Sequence, residues 1–544
     1  MAFYAALIIS MFLTLVLIPP LIRFAGTIGA VDEPNSRKVH VKAVPRIGGV
    51  AMILGSLIPL FIWLPFEKEF IAIALAIGVI FVFGIWDDRK ELSYKYKFAG
   101  QLIAAGIIVF VGDIYIRYAP FADDQILPAY IACPFTILCL VAITNAMNLA
   151  DGLDGLAGGT TLVSFGLVGV LCLSADSPYI LIVTMSVVGG VLGFLRFNSH
   201  PAAIFMGDTG SQFLGLILGV ELLLLTQQAD IALSKALPLL ILGLPLVDTI
   251  TVMTKRILNG RSPFAPDKNH VHHRLLNLGF SHYETVVILY LAQFVFVISA
   301  FFTAYSPDWK PATLFVVYGL LIVFCLDFVE ERQISFHHQG VFRLYAKDSV
   351  RSVLLGLQTL NLARHLPLFV IVALPALTFH TLATGSDIGI DVAVLALVMA
   401  VLFFLRGYYK VENDWYDRVL TYTFSACIAY LGFKKGDVSS AEYLIEWILI
   451  CIAGVLVFVA ISTGKDKRFE TSPYDVLLIL LAFLIPYFTK MATEVDHLPL
   501  DIVKFIVLLY VFEYLINSKE YETNRLLRYT LGVCAFSVFA TYAF

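Results

Sequence analysis

The chain has 544 residues, of which 59% are hydrophobic and 14% charged, and its mean hydropathy is +0.85. Soluble globular chains carry roughly 25% charged residues, so this composition excludes a water-soluble protein and indicates a membrane one. A net charge of −4 excludes partnership with nucleic acid through a basic surface.

A helix needs about 17–25 apolar residues to cross a bilayer. By that ruler the sequence predicts an all-α, polytopic bundle of about eighteen spans. Eleven lie near 3–22, 48–64, 70–86, 98–112, 127–146, 156–174, 179–195, 212–226, 236–253, 285–305 and 312–329. Seven follow near 367–382, 388–405, 419–433, 443–461, 474–489, 499–516 and 529–543, with 98–112 and 419–433 the weakest of the set. The apolar N-terminus has no basic n-region or A-x-A site, and it reads as a first span rather than a cleaved signal. The seven cysteines (Cys133, Cys139, Cys172, Cys325, Cys427, Cys451 and Cys534) nearly all lie in apolar runs without metal-ligand spacing, which predicts reduced packing residues.

Of the 37 Lys and Arg residues, 29 fall in loops that follow odd-numbered spans. The positive-inside rule therefore predicts that those ends are cytoplasmic and that the N-terminus is outside. The longest polar stretch, residues 330–365, lies on the cytoplasmic side. Its Val350, Val353, Leu354, Leu357 and Leu360 share one face of a helix able to lie along the membrane surface. It divides the chain into a membrane domain at 1–330, a linker at 331–366 and a C-terminal membrane module at 367–544.

Five polar clusters stand at odd-numbered span ends: DEPNSRKVHVKAVPRIGG (32–49), DDRKELSYKYK (87–97), NAMNLADGLDGLAGG (145–159), FNSHPAAIFMGDTGS (197–211) and SPFAPDKNHVHHRLL (262–276). Hydropathy and motif position are independent readings, and together they put every candidate group on one membrane face. Asp87, Asp88, Asp151, Asp154 and Asp208 would crowd one cleft, where like charges demand a cation. Mg²⁺ fits that role, with Mn²⁺ as a substitute, because it takes one or two carboxylates and completes its shell with phosphate oxygens and water. The Lys, Arg and His residues of the neighbouring loops, Lys97, Lys268 and Arg274 among them, supply anion-binding charge. Carboxylates, a metal and cations together describe pyrophosphate chemistry.

Each cluster also has a plainer reading. Asp87 and Asp88 can mark a solvated helix end, DGLDGLAGG a turn before a small-residue interface, and Asp208 with Thr209 a helix cap. His270, His272 and His273 can form a surface cluster, and Asp248 can be structural as readily as catalytic.

The five motifs, in this order and on one face, resemble the polyprenyl-phosphate N-acetylhexosamine-1-phosphate transferase family over about residues 1–330. Where the peptidoglycan branch of that family has three adjacent histidines, this chain has HVHH (270–273). It is more similar to the branch that uses UDP-N-acetylglucosamine or a related UDP-N-acetylhexosamine. The resemblance implies a bacterial inner-membrane enzyme that transfers the sugar-1-phosphate to undecaprenyl phosphate and releases UMP. Such an enzyme initiates an O-antigen, teichoic-acid or capsule lipid, and partners to expect are a second copy of the chain and downstream glycosyltransferases.

The resemblance also implies residue roles. Asp208 would ligate Mg²⁺, with Asp88 as a second ligand. Asp87 and Asp88 would face the lipid phosphate. Asn148, Asp151 and Asp154 would line the nucleotide pocket, with Asn198 and Phe205 near the uracil. His270, His272 and His273 would hold the sugar and diphosphate. Arg37, Lys38, His40 and Lys42 of the first loop, with Lys97 and Lys268, would bind substrate.

Two rivals fit less well. A CDP-alcohol phosphotransferase needs D-x₂-D-G-x₂-A-R and two later aspartates, but Gly158 stands at the arginine position. A transporter would place ionisable groups near the bilayer midplane, not at one surface. Residues 367–544 add spans but no comparable cluster.

Overall fold

In the computed structural model the described residues are 2–32, 43–90, 92–121, 125–227, 232–262, 269–333, 366–383, 390–408, 414–433, 452, 472–492 and 521–543, with 504–505, 507–509, 511–512 and 515–516. The chain divides into two compact units, Met1–His338 with Ser472–Leu477, and Gln339–Thr471 with Leu478–Phe544.

The first unit begins with α1 (Ala2–Ile28), a two-residue hairpin β1 (Val31–Asp32) and β2 (Val44–Pro45), α2 (Gly48–Trp63), α3 (Lys68–Lys90) and α4 (Tyr94–Phe110). It continues through α5 (Ala129–Ala150), α6 (Leu156–Ser174), α7 (Pro178–Asn198), α8 (Gly207–Gln227), α9 (Leu237–Ile241) and α10 (Gly243–Leu258). It closes with α11 (Val271–Asn277), α12 (His282–Thr303) and α13 (Trp309–Glu331). The remaining helices are α14 (Leu366–Ala383), α15 (Ile390–Tyr408), α16 (Asp414–Phe433), α17 (Pro473–Ala492) and α18 (Tyr521–Ala543). Among the described residues, nine helices are long and apolar enough to cross a membrane, and the protein is a multi-pass helical membrane protein. In a bilayer each backbone polar group must be satisfied within its own segment, which leaves helices as the form these apolar runs can take.

Burial orders the first unit. The spanning windows of α8 and α6 are 94% and 89% buried, whereas that of α13 is 6% buried. Hence α6 and α8 are central and α13 presents Val316, Leu320, Phe324 and Phe328 outward. Close packing of α8 relies on missing side chains: any Cβ at Gly215 would meet the α5 backbone at Thr144, and any at Gly210 would press on Gly49 of α2.

Most predicted spans coincide with helices, including both of the weakest. The span predicted at 236–253 is instead two helices, α9 and α10, with Leu242 between them. Pro245 has no N–H, so the Ile241 carbonyl loses its helical donor. Gln293 Nε2 and Ser164 Oγ bond that carbonyl instead, each at 2.8 Å. The same Gln293 accepts the Leu244 N–H at 3.0 Å, which fixes the start of α10. The predicted span at 443–461, residue 452 apart, and the surface helix at 350–360 lie outside the described residues, as does half of the span at 499–516.

In the second unit α15 packs on α18 and on α16. A buried Asp417 accepts from Arg406 at 3.1 Å and from Arg528 at 2.7 Å, joining α15, α16 and the start of α18.

Candidate active site

Alternating helix directions bring the C-terminal ends of α3, α5 and α7 to the same end of the first unit as the N-terminal ends of α4, α6 and α8. The FMGD segment before α8 is held by the first loop. Phe205 N–H bonds Pro45 O at 2.8 Å, and Gly48 and Gly49 N–H bond Phe205 O and Met206 O, each at 2.9 Å. Arg46 pairs with Asp32 across the base of the hairpin. Gly207 turns the chain at φ +69°, where a side chain would strike the Arg46 carbonyl and the Asp88 carboxylate. Only glycine takes that conformation without strain.

Asp87, Asp88 and Asp208 each place one carboxylate oxygen so that all three oxygens lie within 4.8 Å of one another. Asp88 is buried, and its Oδ1 accepts the Asp208 N–H at 2.7 Å. Its Oδ2 accepts Thr209 Oγ1 at 2.6 Å and Thr209 N–H at 3.3 Å. Asp88 is thus the cap of α8, supplied by α3, and it satisfies N–H groups that a helix start leaves open.

Lys97 of α4 stands between the other two carboxylates, with Nζ 2.7 Å from Asp87 Oδ2 and 2.8 Å from Asp208 Oδ2. Asp87 Oδ1 takes the Leu92 N–H at 2.6 Å. Asp208 Oδ2 also accepts from Asn148 Nδ2 at 3.1 Å and Gln212 Nε2 at 3.3 Å. Among the described residues no amide, lysine or backbone N–H reaches Asp208 Oδ1. Ser211 Oγ donates to Asn148 Oδ1 at 3.1 Å and fixes which way that amide faces. Three carboxylates gathered against one ammonium form a donor set that fits a hard divalent cation.

The turn between α5 and α6 carries Asp151 and Asp154. Burial, then the charges of Asp208 and Asp154, push the Asp151 carboxyl up to about 7. Asp154 behaves oppositely. Burial works to raise it, but the His200 hydrogen bond, the His282 charge and the Ala202 N–H outweigh that and hold it below the usual carboxylate range. Asp154 Oδ2 lies 2.7 Å from His200 Nδ1, and the His200 and His282 rings stack at 4.0 Å and 20°. Ring nitrogens ligate in the ring plane, so two near-parallel rings do not aim at one ion. We read this trio as a brace that ties the α5–α6 turn to the loop before α8 and to the start of α12.

Asn198 is also internal. Its Oδ1 takes the Gly155 N–H and its Nδ2 bonds the Ile204 carbonyl, each at 2.9 Å, so it holds the pocket wall from behind. Phe205 enters through its backbone, as above. The HVHH segment forms the start of α11. The His270 and His272 rings lie 5.7 Å apart at 13°, and those of His272 and His273 4.3 Å apart at 48°. The His272 ring packs on Gly152, where a Cβ would overlap it. Burial, then His273, push His272 down to about 3 against the opposing charge of Asp248, so it is neutral at working pH.

The structure corrects one expectation. Arg274 does not offer its charge to a phosphate: it donates to Asp327 at 2.6 Å and to Glu330 at 2.6 and 2.7 Å, pinning α11 to α13. The acidic end of α13 is far from HVHH in sequence, so the pair is invisible before folding. Ser211, Gln212, His200 and His282 have no role in the sequence analysis, and Thr209 appears there only as a helix cap. The hydroxyls of GDTGS were the available signal, because polar residues starting an otherwise apolar helix require a partner. Arg37, Lys38, His40, Lys42 and Lys268 lie outside the described residues.

Residues 70–226 match the model of glycosyl transferase family 4. The chain is similar to the probable undecaprenyl-phosphate N-acetylglucosaminyl 1-phosphate transferase of Bacillus subtilis, with 41% identity over 319 residues that make up 58% of this chain and 88% of that protein. It is also similar to the decaprenyl-phosphate N-acetylglucosaminephosphotransferase of Mycolicibacterium smegmatis, with 36% identity across 54% of this chain and 80% of that one. The undecaprenyl-phosphate alpha-N-acetylglucosaminyl 1-phosphate transferase of Escherichia coli shares 30% identity across 56% of this chain and 85% of its own.

Proposed function

The chain belongs to the family of polyprenyl-phosphate N-acetylglucosamine-1-phosphate transferases, and we propose that its Asp87–Asp88–Asp208 cleft performs that transfer to begin a cell-envelope glycan lipid. The enzyme moves N-acetylglucosamine-1-phosphate from a UDP-sugar to undecaprenyl phosphate and releases UMP. The observation that carries the assignment is the three-carboxylate cluster bridged by Lys97 at the end of the bundle where the family motifs meet.

The obstacle to this reaction is repulsion between a lipid phosphate and a sugar-nucleotide diphosphate. Asp208 and Asp88 would hold Mg²⁺, or Mn²⁺ in its place, which would supply positive charge to offset the repulsion between the two phosphate groups. Lys97 adds an ammonium already aligned between Asp87 and Asp208. A phosphate monoester has its second pKa near 6, so the lipid phosphate is largely dianionic at neutral pH and needs no strong base. Asp87 positions it for in-line attack on the β-phosphorus and takes any residual proton. Asp151 and Asp154 line the nucleotide side, and the HVHH imidazoles face the sugar and diphosphate.

The HVHH pattern and the N-acetylglucosamine named for the relatives both favour UDP-N-acetylglucosamine over a peptide-bearing donor. The lysine and arginine bias of 29 in 37 supports a cytoplasmic site and an external N-terminus in a bacterial inner membrane. Purified full-length protein should be assayed against a UDP-sugar panel with undecaprenyl phosphate, scoring UMP. Turnover fastest with UDP-N-acetylglucosamine supports the assignment, and faster turnover of a UDP-muramoyl-peptide would contradict it.

A further inference from the structure

Asp248 lies in the second turn of α10, and both its carboxylate oxygens are directed at the HVHH segment. Oδ2 is 2.8 Å from His270 Nδ1, and Oδ1 accepts the Val271 N–H at 2.8 Å. The two side chains are 9% and 7% exposed, so water does not compete for either bond. His270 is the N-cap residue of α11 but provides no side-chain cap. Asp248 therefore also satisfies an N–H that the helix start would leave open.

Its position is fixed from below. Leu244 and Asp248 are one helical turn apart and share a face. Leu244 N–H is bonded to Gln293, which α12 holds against Ser164 and Ile241. A rigid chain of contacts from α6 and α12 thus ends on one imidazole nitrogen.

An ionised carboxylate only accepts hydrogen bonds. Facing Asp248, His270 must carry its proton on Nδ1, which leaves Nε2 as the ring nitrogen not engaged by Asp248. We infer that Asp248 is a positioning residue for the transfer: it holds His270 in the Nδ1–H form so that Nε2 meets the donor diphosphate. The inference rests on the proposed function for the identity of that diphosphate. As the β-phosphorus bond to the UMP oxygen breaks, charge accumulates on the leaving group. A proton taken from water onto Nε2 makes the ring an imidazolium, which the Asp248 carboxylate behind it stabilises and whose Nε2–H donates to the leaving-group oxygen.

Asp248→Asn separates this role from a structural one. The asparagine oxygen can still accept the Val271 N–H, but its NH₂ meets His270 Nδ1 as a donor and imposes the opposite tautomer. In full-length enzyme, Asp248→Asn is expected to lower kcat at least tenfold with KM for UDP-N-acetylglucosamine changed less than about threefold. Added to His270→Asn it should cost nothing further, because residues acting as one unit are not additive. Nitrogen NMR of ¹⁵N-histidine-labelled protein in nanodiscs, with the His270→Asn sample identifying the resonance, should show Nδ1 protonated in the native enzyme and unprotonated in Asp248→Asn. A native Nδ1 without its proton overturns the inference. So does Asp248→Asn turnover within twofold of native, or a further tenfold loss on top of His270→Asn. Native enzyme that released no UMP would refute the proposed function, and the nitrogen resonances would still decide the role of Asp248.

Discussion

Asp88 accepts the backbone N–H of Asp208 at 2.7 Å, so one aspartate of the cluster sets the place of another. Thr209 Oγ1 completes this joint at 2.6 Å. Removing the charge by Asp88→Asn should lower turnover by about 10²-fold or more, in the range seen for loss of one aligned electrostatic group. Thr209→Val keeps all three carboxylates and removes only the hydroxyl, and it should cost about tenfold. Steady-state UMP release by both variants checks this. Equal losses would mean that the hydroxyl itself contacts substrate.

Gly152 is where the α5–α6 turn touches His272. A methyl there would overlap the ring, and Gly152 itself is exposed, so the clash is local. Gly152→Ala should lower kcat by about tenfold or more while leaving the thermal midpoint within a few degrees. Normal turnover would show that His272 need not sit against the turn.

The architecture was largely legible because a bilayer demands long apolar helices, a property each segment carries alone. Even the spans at 98–112 and 419–433 could be found, while the break at Leu242 depended on one proline whose effect on Ile241 is filled by a side chain from α12. In the site, Asp87, Asp88 and Asp208 could be named from their motifs, since ionisable groups at span ends need a reason. What could not be read were pairings across distant sequence. Asp248 with His270, Asp154 with His200, and Arg274 with Glu330 exist only after the helices pack.

At the opposite end of the first unit, Asp308 ties α13 to two loops. It accepts Ser234 Oγ at 2.6 Å, the Lys235 N–H at 2.8 Å and the Phe121 N–H at 3.0 Å. Burial acts to raise its carboxyl, but Ser234 and the backbone donors of Phe121, Ala236 and Lys235 outweigh it and hold it below the usual range. The folded state then binds fewer protons than the unfolded one near the ordinary carboxylate value. The stabilisation is complete above about pH 4 and is lost as pH falls through the lowered native value. Asp308→Asn should therefore cost about 1–2 kcal/mol at pH 7, with turnover unchanged. Thermal unfolding in detergent from pH 7 towards 3.5 should show the gap to native shrinking, and a gap constant with pH would refute the account.

The 319 residues aligned with the Bacillus subtilis protein make up 88% of that protein but only 58% of this chain, so the likeness stops short of residues 367–544. Residues 1–366 should accordingly be self-sufficient. Within the bilayer the apolar helix faces of residues 1–366 would meet acyl chains of similar polarity. Expression of residues 1–366, a monodisperse elution profile and turnover within about threefold of the full chain are expected. A well-folded truncation a hundredfold slower would mean that residues 367–544 shape the active site.

The central claim is that a phosphorus atom crosses from nucleotide to lipid at the Asp87–Asp88–Asp208 cleft, and UDP-N-acetylglucosamine labelled with ³²P at the β position tests it directly. Incubated with undecaprenyl phosphate, Mg²⁺ and purified enzyme, the label should appear in the organic-phase lipid with unlabelled UMP as co-product. Neither should form with Asp208→Asn or in excess EDTA. Label retained in UDP while the sugar alone reaches the lipid, or undiminished transfer in EDTA, would contradict the account.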